Sequence, residues 1–160
     1  MTNDHNHDPL QPHAHEPNPE PPSPDPAFTL IEPSGNEHNV AVSDLKRLRP
    51  IAVPNCYIVS TGHGTSGPFT FTGARLLDVV RHYVKGPWAQ VEVLSADGFG
   101  NRVFREELVN PDPDGPIVLA FTIDGREMTR EQGLVRLIVP SERDDALRQV
   151  KWVGEIRVRR

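Results

Sequence analysis

The sulfur of Cys56 is the most reactive atom the sequence offers, and it is the chain's only cysteine. A thiolate can act as a nucleophile or as a soft metal ligand. Cys56 opens the stretch CYIVSTGHGTSGPFTFTG, which also holds Gly62, Gly64, Gly67, Gly73 and His63. Successive backbone N–H groups in such a glycine-rich loop can cradle a phosphate-like anion. No Gly-Lys-Ser/Thr follows, so the loop is not a P-loop. His63 could hydrogen-bond the same anion, or simply sit solvated in a turn. For Cys56 the alternative is a small apolar residue buried on a strand. A second group of ligand-type side chains comprises two His-x-His pairs, His5/His7 and His13/His15. Such pairs can bind Ni, Cu or Zn weakly; the alternative is a solvated tail whose histidines do nothing specific.

Charge is unevenly distributed. The first forty-five residues carry eight acids and neither Lys nor Arg. The remainder holds all 17 basic residues and 14 acids, so it is +3 while the whole chain is −5. A mildly basic body suits a small anionic ligand or cofactor but not nucleic acid. A single cysteine precludes an intramolecular disulfide and fits a reducing compartment, so a cytoplasmic protein is expected. The start MTNDHNHDPL has neither a basic end nor an apolar run, so no signal peptide is expected. No segment approaches the ~20 apolar residues of a membrane helix, and no membrane partner is expected.

Two regions follow. Residues 1–27 contain eight prolines and little that is apolar, and such a segment is expected to be disordered. Residues 28–160 are expected to form one domain. FTLI, CYIVS, FTFT, WAQVEVLS, RVF, IVLAFTI, LVRLIVP and VKWVGEIRV read as strands, separated by turn signals such as Asp97-Gly98 and Asp124-Gly125. GHGTSGP reads as a loop. GARLLDVVRHYV reads as the main helix, with Leu76, Val80, Tyr83 and Val84 on one face. SDLKRL reads as a short helix capped by Ser43, and SERDDALRQ as one helical turn. In the last strand Ile156 and Val158 alternate with Glu155, Arg157 and Arg159, predicting one buried and one basic, wet face. The expected class is α+β, strand-rich and mixed, with one main helix.

Four fragments in this order carry a resemblance: FTFTGARLLDVV, LSADGFGNRVFREEL, IVLAFTIDGREM and GLVRLIVP…VKWVGEIRV. Gly73, Leu76 and Leu77; Asp97, Gly98 and Phe99; Leu119, Ala120, Asp124 and Gly125; Gly133, Arg136, Leu137 and Pro140; and Lys151, Trp152, Ile156 and Val158 match its pattern. Over roughly residues 42–160 the chain resembles the oxidoreductase molybdopterin-binding domain, the fold of the sulfite oxidase family. It looks like a short, stand-alone member.

The resemblance implies a molybdopterin (molybdenum) cofactor whose metal takes one cysteine thiolate from the protein. Family spacing, counted back from Gly73, points to Thr61 for that ligand, 12 positions upstream, whereas Cys56 is 17 upstream. The five-residue offset is about 16 Å along a strand and reverses the side-chain face. An insertion in GHGTSGP would restore the register and make Cys56 the metal ligand. The implied cofactor-binding residues are Thr61, Gly62, His63 and Gly64, together with Arg136 and Lys151. For the last two the alternative is an ion pair at the sheet surface. Two functions follow: a molybdopterin-dependent oxidoreductase with a redox partner protein, or a non-catalytic scaffold binding another anionic ligand or a protein partner.

Overall fold

The computed structural model describes residues 25–60, 64–141 and 148–160. The two His-x-His pairs, Thr61, Gly62, His63 and most of the SERDDALRQ segment lie outside the described residues. In chain order the elements are β1 (Phe28–Ile31), β2 (Glu37–Val40), α1 (Val42–Lys46), β3 (Ile51–Ser60), β4 (Gly64–Arg75), α2 (Leu76–Tyr83), β5 (Gln90–Ser95), β6 (Gly100–Phe104), α3 (Arg105–Val109), β7 (Val118–Ile123), β8 (Arg126–Glu127), β9 (Arg136–Ile138) and β10 (Val153–Arg159). This is the strand-rich α+β domain the sequence implies. No helix among the described residues is long and apolar enough to cross a membrane.

The strands form two sheets. One has the order β2-β1-β10-β5-β6, and the other β3-β4-β7-β8 with β9 also on β7. β1 runs parallel to β10, with Thr29 opposite Glu155 and Ile31 opposite Arg157, so the first and last described strands lie side by side. Along β10, Val153, Ile156 and Val158 are buried while Arg157 and Arg159 are exposed, which is the predicted alternation. The main core lies between the sheets. It takes Leu30, Val91, Val93 and Ile156 from the first sheet, Leu119, Phe121 and Leu137 from the second, and Leu76, Val79 and Val80 from α2. A smaller cluster on the second sheet joins Val53, Cys56, Phe71, Ala120 and Ile138. β7 therefore feeds both clusters from its alternating faces.

Three local readings differ from the structure. The main helix begins at Leu76 rather than Gly73, because Gly73, Ala74 and Arg75 belong to β4. A Cβ at Gly73 would lie 2.1 Å from the Leu119 carbonyl oxygen, so only glycine permits this close strand contact. GHGTSGP is not simply a loop: from Gly64 onward it is strand, with Gly64 opposite Ser60 and Ser66 opposite Ile58. In α1 the cap is supplied by Asp44, whose carboxylate accepts the Ala41 N–H at 2.8 Å, and not by Ser43. The hairpin signals hold: Asp124 and Gly125 both have positive φ, as the tight turn from β7 to β8 requires.

Candidate anion site

Arg136 opens β9 opposite Ala120 of β7. The chain reaches it through a tight turn. The N–H groups of Gln132, Gly133 and Leu134 all donate to the Thr129 carbonyl, at 3.0–3.2 Å. Gly133 and Leu134 both have positive φ, 111° and 59°. The segment before β10 is laced to the same turn: Trp152 N–H donates to the Gly133 carbonyl at 2.9 Å, Val153 N–H to Val135 at 3.1 Å, and Leu137 N–H to Val150 at 2.7 Å. The Trp152 indole N–H is anchored on the Arg130 carbonyl at 2.6 Å. These bonds bring Lys151 beside Arg136, fifteen positions away in sequence. Gly133 is the point of contact. A Cβ there would lie 2.7 Å from Lys151 Cβ and 3.0 Å from Arg136 Cγ, so the site needs the glycine twice, for space and for φ.

Arg136 is 6 % exposed. Its Nη1 donates to the Gln132 carbonyl at 2.7 Å and its Nη2 to Gln149 Oε1 at 3.3 Å. The Gln149 amide nitrogen donates in turn to the Tyr57 carbonyl at 2.6 Å. Arg136 Nε is buried without a hydrogen-bond partner. Other arginines of the domain meet acids: Arg148 meets Glu107, and both Arg102 and Arg159 meet Glu92. Among the described residues, neither Arg136 nor Lys151 has a carboxylate at ion-pair distance.

Burial pushes the Arg136 guanidinium down to about 10, which still leaves it cationic at neutral pH. Lys151 is half-buried, with Nζ 4.2 Å from the centroid of the Trp152 ring. The ring face favours an ammonium. Burial, and then the Arg136 charge, push the other way, and Asp97 only partly offsets them, so the Lys151 amine lies below the ordinary lysine range. Two neighbouring cations, one with a spare N–H and neither with a carboxylate at ion-pair distance among the described residues, have the chemistry to hold an anion.

Cys56 lies in β3, 2 % exposed, with Sγ donating to the Val53 and Pro54 carbonyls at 3.7 and 3.5 Å. It shares the smaller cluster with Ile138, which sits two residues along β9 from Arg136 and so on the same face of that strand. Counting parity back from Gly73 puts Cys56 on the opposite face. Register shifts on both sides of Cys56 break that count. Gly64 begins β4.

Sequence reasoning missed Gln149, Gln132 and the Tyr57 carbonyl. Gln is common on surfaces, and nothing local marks Gln149 as buried. It also treated Asp97 only as a turn residue, although that carboxylate bears on Lys151.

Fold and site together define a small α+β domain in which Arg136 and Lys151 stand side by side. The chain belongs to the oxidoreductase molybdopterin-binding domain family, whose model matches residues 34–160. Among solved structures it is similar to the sulfane dehydrogenase SoxCD from Paracoccus pantotrophus, with 20% identity and a TM-score of 0.64 over 83% of this chain. It spans 38% of that chain's length. No curated protein matches it.

Proposed function

We propose that this domain binds molybdopterin through the pterin's terminal phosphate, with Arg136 and Lys151 as the anion site and Thr61, Gly62, His63 and Gly64 contributing backbone and imidazole hydrogen bonds. One observation carries the reading: the buried side chain of Arg136, whose Nε has no partner and which no described acid neutralises. An unpaired buried cation costs several kcal/mol, so its retention argues for a ligand that completes it. Gly133, lacking a side chain, lets the Lys151 and Arg136 stems close over it. Gln132 and Gln149 fix the guanidinium plane, so the anion meets a preset fork of donors.

The residues present fit the anionic end of the cofactor better than its metal end. When bound, a molybdenum centre would supply oxygen-atom or electron transfer, in exchange with a redox partner protein. Thr61, at the position that family spacing gives the ligand, carries no thiol. The Cys56 thiol is spent on two backbone carbonyls within an apolar cluster. We therefore place the domain among binding members of the family without a thiolate of their own. The alternative of a scaffold for another anion or a protein partner rests on the same observation. The lone cysteine suits the reducing cytoplasm.

The test is molybdenum and pterin content of protein purified from a host that makes the cofactor, in wild type, Cys56→Ser and Arg136→Gln. The expected result is pterin that survives Cys56→Ser and is lost in Arg136→Gln. Stoichiometric molybdenum lost in Cys56→Ser would make Cys56 the metal ligand and the protein an enzyme. Absence of pterin from the wild type would overturn the molybdopterin reading and leave the scaffold reading.

A further inference from the structure

The chain has three lysines, Lys46, Lys85 and Lys151. Lys46 and Lys85 are exposed, and Lys85 Nζ donates to the His82 carbonyl at 3.1 Å. Lys151 alone is half-buried, and it stands beside a fixed second cation. Its stem meets that of Arg136 over Gly133, its head lies on the Trp152 ring, and no described carboxylate pairs with it.

We infer that Lys151 is a site of covalent acylation by acyl phosphates, with Arg136 holding the phosphate that becomes the leaving group. The inference uses the anion site but not the identity of the ligand that normally fills it. A neutral amine is the nucleophile in acyl transfer, and desolvation beside another cation is the arrangement that frees a lysine amine at neutral pH. The Lys151 amine is lowered by burial and by Arg136, which raises its neutral fraction above that of an exposed lysine, while the Arg136 stem beside it over Gly133 places the phosphate-binding cation next to the nucleophile.

The step balances without a further reactant. Lys151 Nζ attacks the acyl carbon and a C–N bond forms. The carbon–oxygen bond to phosphate breaks, and phosphate leaves with the electron pair. The amine proton passes to that phosphate or to water. The Arg136 guanidinium, with its buried spare N–H, stabilises the charge on the departing oxygens. The product is a neutral amide that removes one of the two cations and adds bulk beside Arg136. Acylation and occupancy of the site by an anion are therefore mutually exclusive, which would make this lysine a point where acyl-phosphate levels regulate the domain.

The experiment is a competition within one molecule. The full chain is incubated with acetyl phosphate near neutral pH, and acetylation at Lys46, Lys85 and Lys151 is followed by peptide mass spectrometry. Acetylation several times faster at Lys151 is expected, with the preference abolished by excess sulfate and much reduced when acetic anhydride, which leaves no phosphate, replaces acetyl phosphate. Arg136→Gln should lose the preference as well. Since removing a buried arginine can unfold the domain, the sulfate competition in wild type is the deciding measurement. Equal rates at the three lysines, or a preference indifferent to sulfate, would overturn the proposal. A preference found in protein that retains no pterin would uphold this inference while the molybdopterin reading fails.

Discussion

Gln149 bridges Arg136 and the strand that carries Cys56: its amide oxygen accepts from Arg136 Nη2 at 3.3 Å while its amide nitrogen donates to the Tyr57 carbonyl at 2.6 Å. Arginine can only donate and a carbonyl can only accept, so chemistry fixes which way this amide faces. The bridge ties Arg136 to β3. An anion that engages Arg136 thus meets a guanidinium held from both sides.

Gln149→Leu leaves the Tyr57 carbonyl and one Arg136 N–H without partners. Each lost partner costs about 1–3 kcal/mol when the group stays buried, so a substantial fall in thermal stability is expected. Gln149→Glu separates binding from folding. It places a carboxylate against Arg136, neutralises the site from within, and should abolish sulfate binding even where the fold persists. Calorimetric titration with sulfate reads this out; wild-type affinity in Gln149→Glu would show that Arg136 is not the anion's partner.

Gly133→Ala strikes the contact point of the two cations. The new methyl group would lie 2.7 Å from Lys151 Cβ, at a φ of 111° that alanine rarely adopts. Strain of this kind costs about 1–3 kcal/mol, and the Lys151 stem must shift away from Arg136. Urea denaturation should show a lower midpoint at unchanged slope, with sulfate stabilisation diminished. An unaffected midpoint would mean that the turn relaxes freely.

Lys151 should work against the stability of the ligand-free domain. Its amine is lowered in the folded state, by burial first and Arg136 second, with Asp97 opposing. A lowered folded-state value means that the unfolded chain binds the proton more tightly, so stability rises with pH between the folded value and the ordinary 10.5. Below that window the penalty is present in full. Lys151→Met keeps the stem's packing and removes the charge, so it should melt higher than wild type at neutral pH. The gap should narrow as pH climbs toward 10.5. Sulfate should raise the melting temperature of wild type and leave Lys151→Met nearly unmoved, since only a species that binds the native state stabilises it. A variant less stable than wild type at every pH would contradict this account.

Much of the scaffold was legible because alternation and turn chemistry are local. β10 reads directly from its Ile156/Val158 spacing, and the Asp124-Gly125 hairpin from its dipeptide. The start of α2 was not, because the Gly73–Leu119 close approach is a tertiary contact invisible to helical periodicity. Nor was the continuation of β4 through Gly64–Pro68, where pairing with β3 overrides a glycine- and proline-rich composition. At the site, Arg136 and Lys151 were reached through the family pattern, but their convergence depends on positive φ at Gly133, Leu134 and Trp152, which sequence spacing does not encode. Which side of the sheet Cys56 faces was not legible either, because parity counts fail across register shifts.

Cys56 offers the last test, since its burial makes two quantities independent that a metal ligand would couple. Its Sγ sits among Val53, Phe71 and Ile138 and donates only weakly to carbonyls. A hydroxyl in its place brings a more polar group into that cluster. Cys56→Ser should therefore lose about 1–3 kcal/mol, less whatever the hydroxyl regains by donating to Val53 or Pro54. In the native protein the thiol should resist iodoacetamide and become reactive only under denaturing conditions. Sulfate affinity, set by Arg136 and Lys151, should be the same in Cys56→Ser as in wild type. A variant of unchanged stability that nonetheless lost anion or pterin binding would mean that this sulfur serves the site directly, and Cys56 would then return as the ligand to the metal.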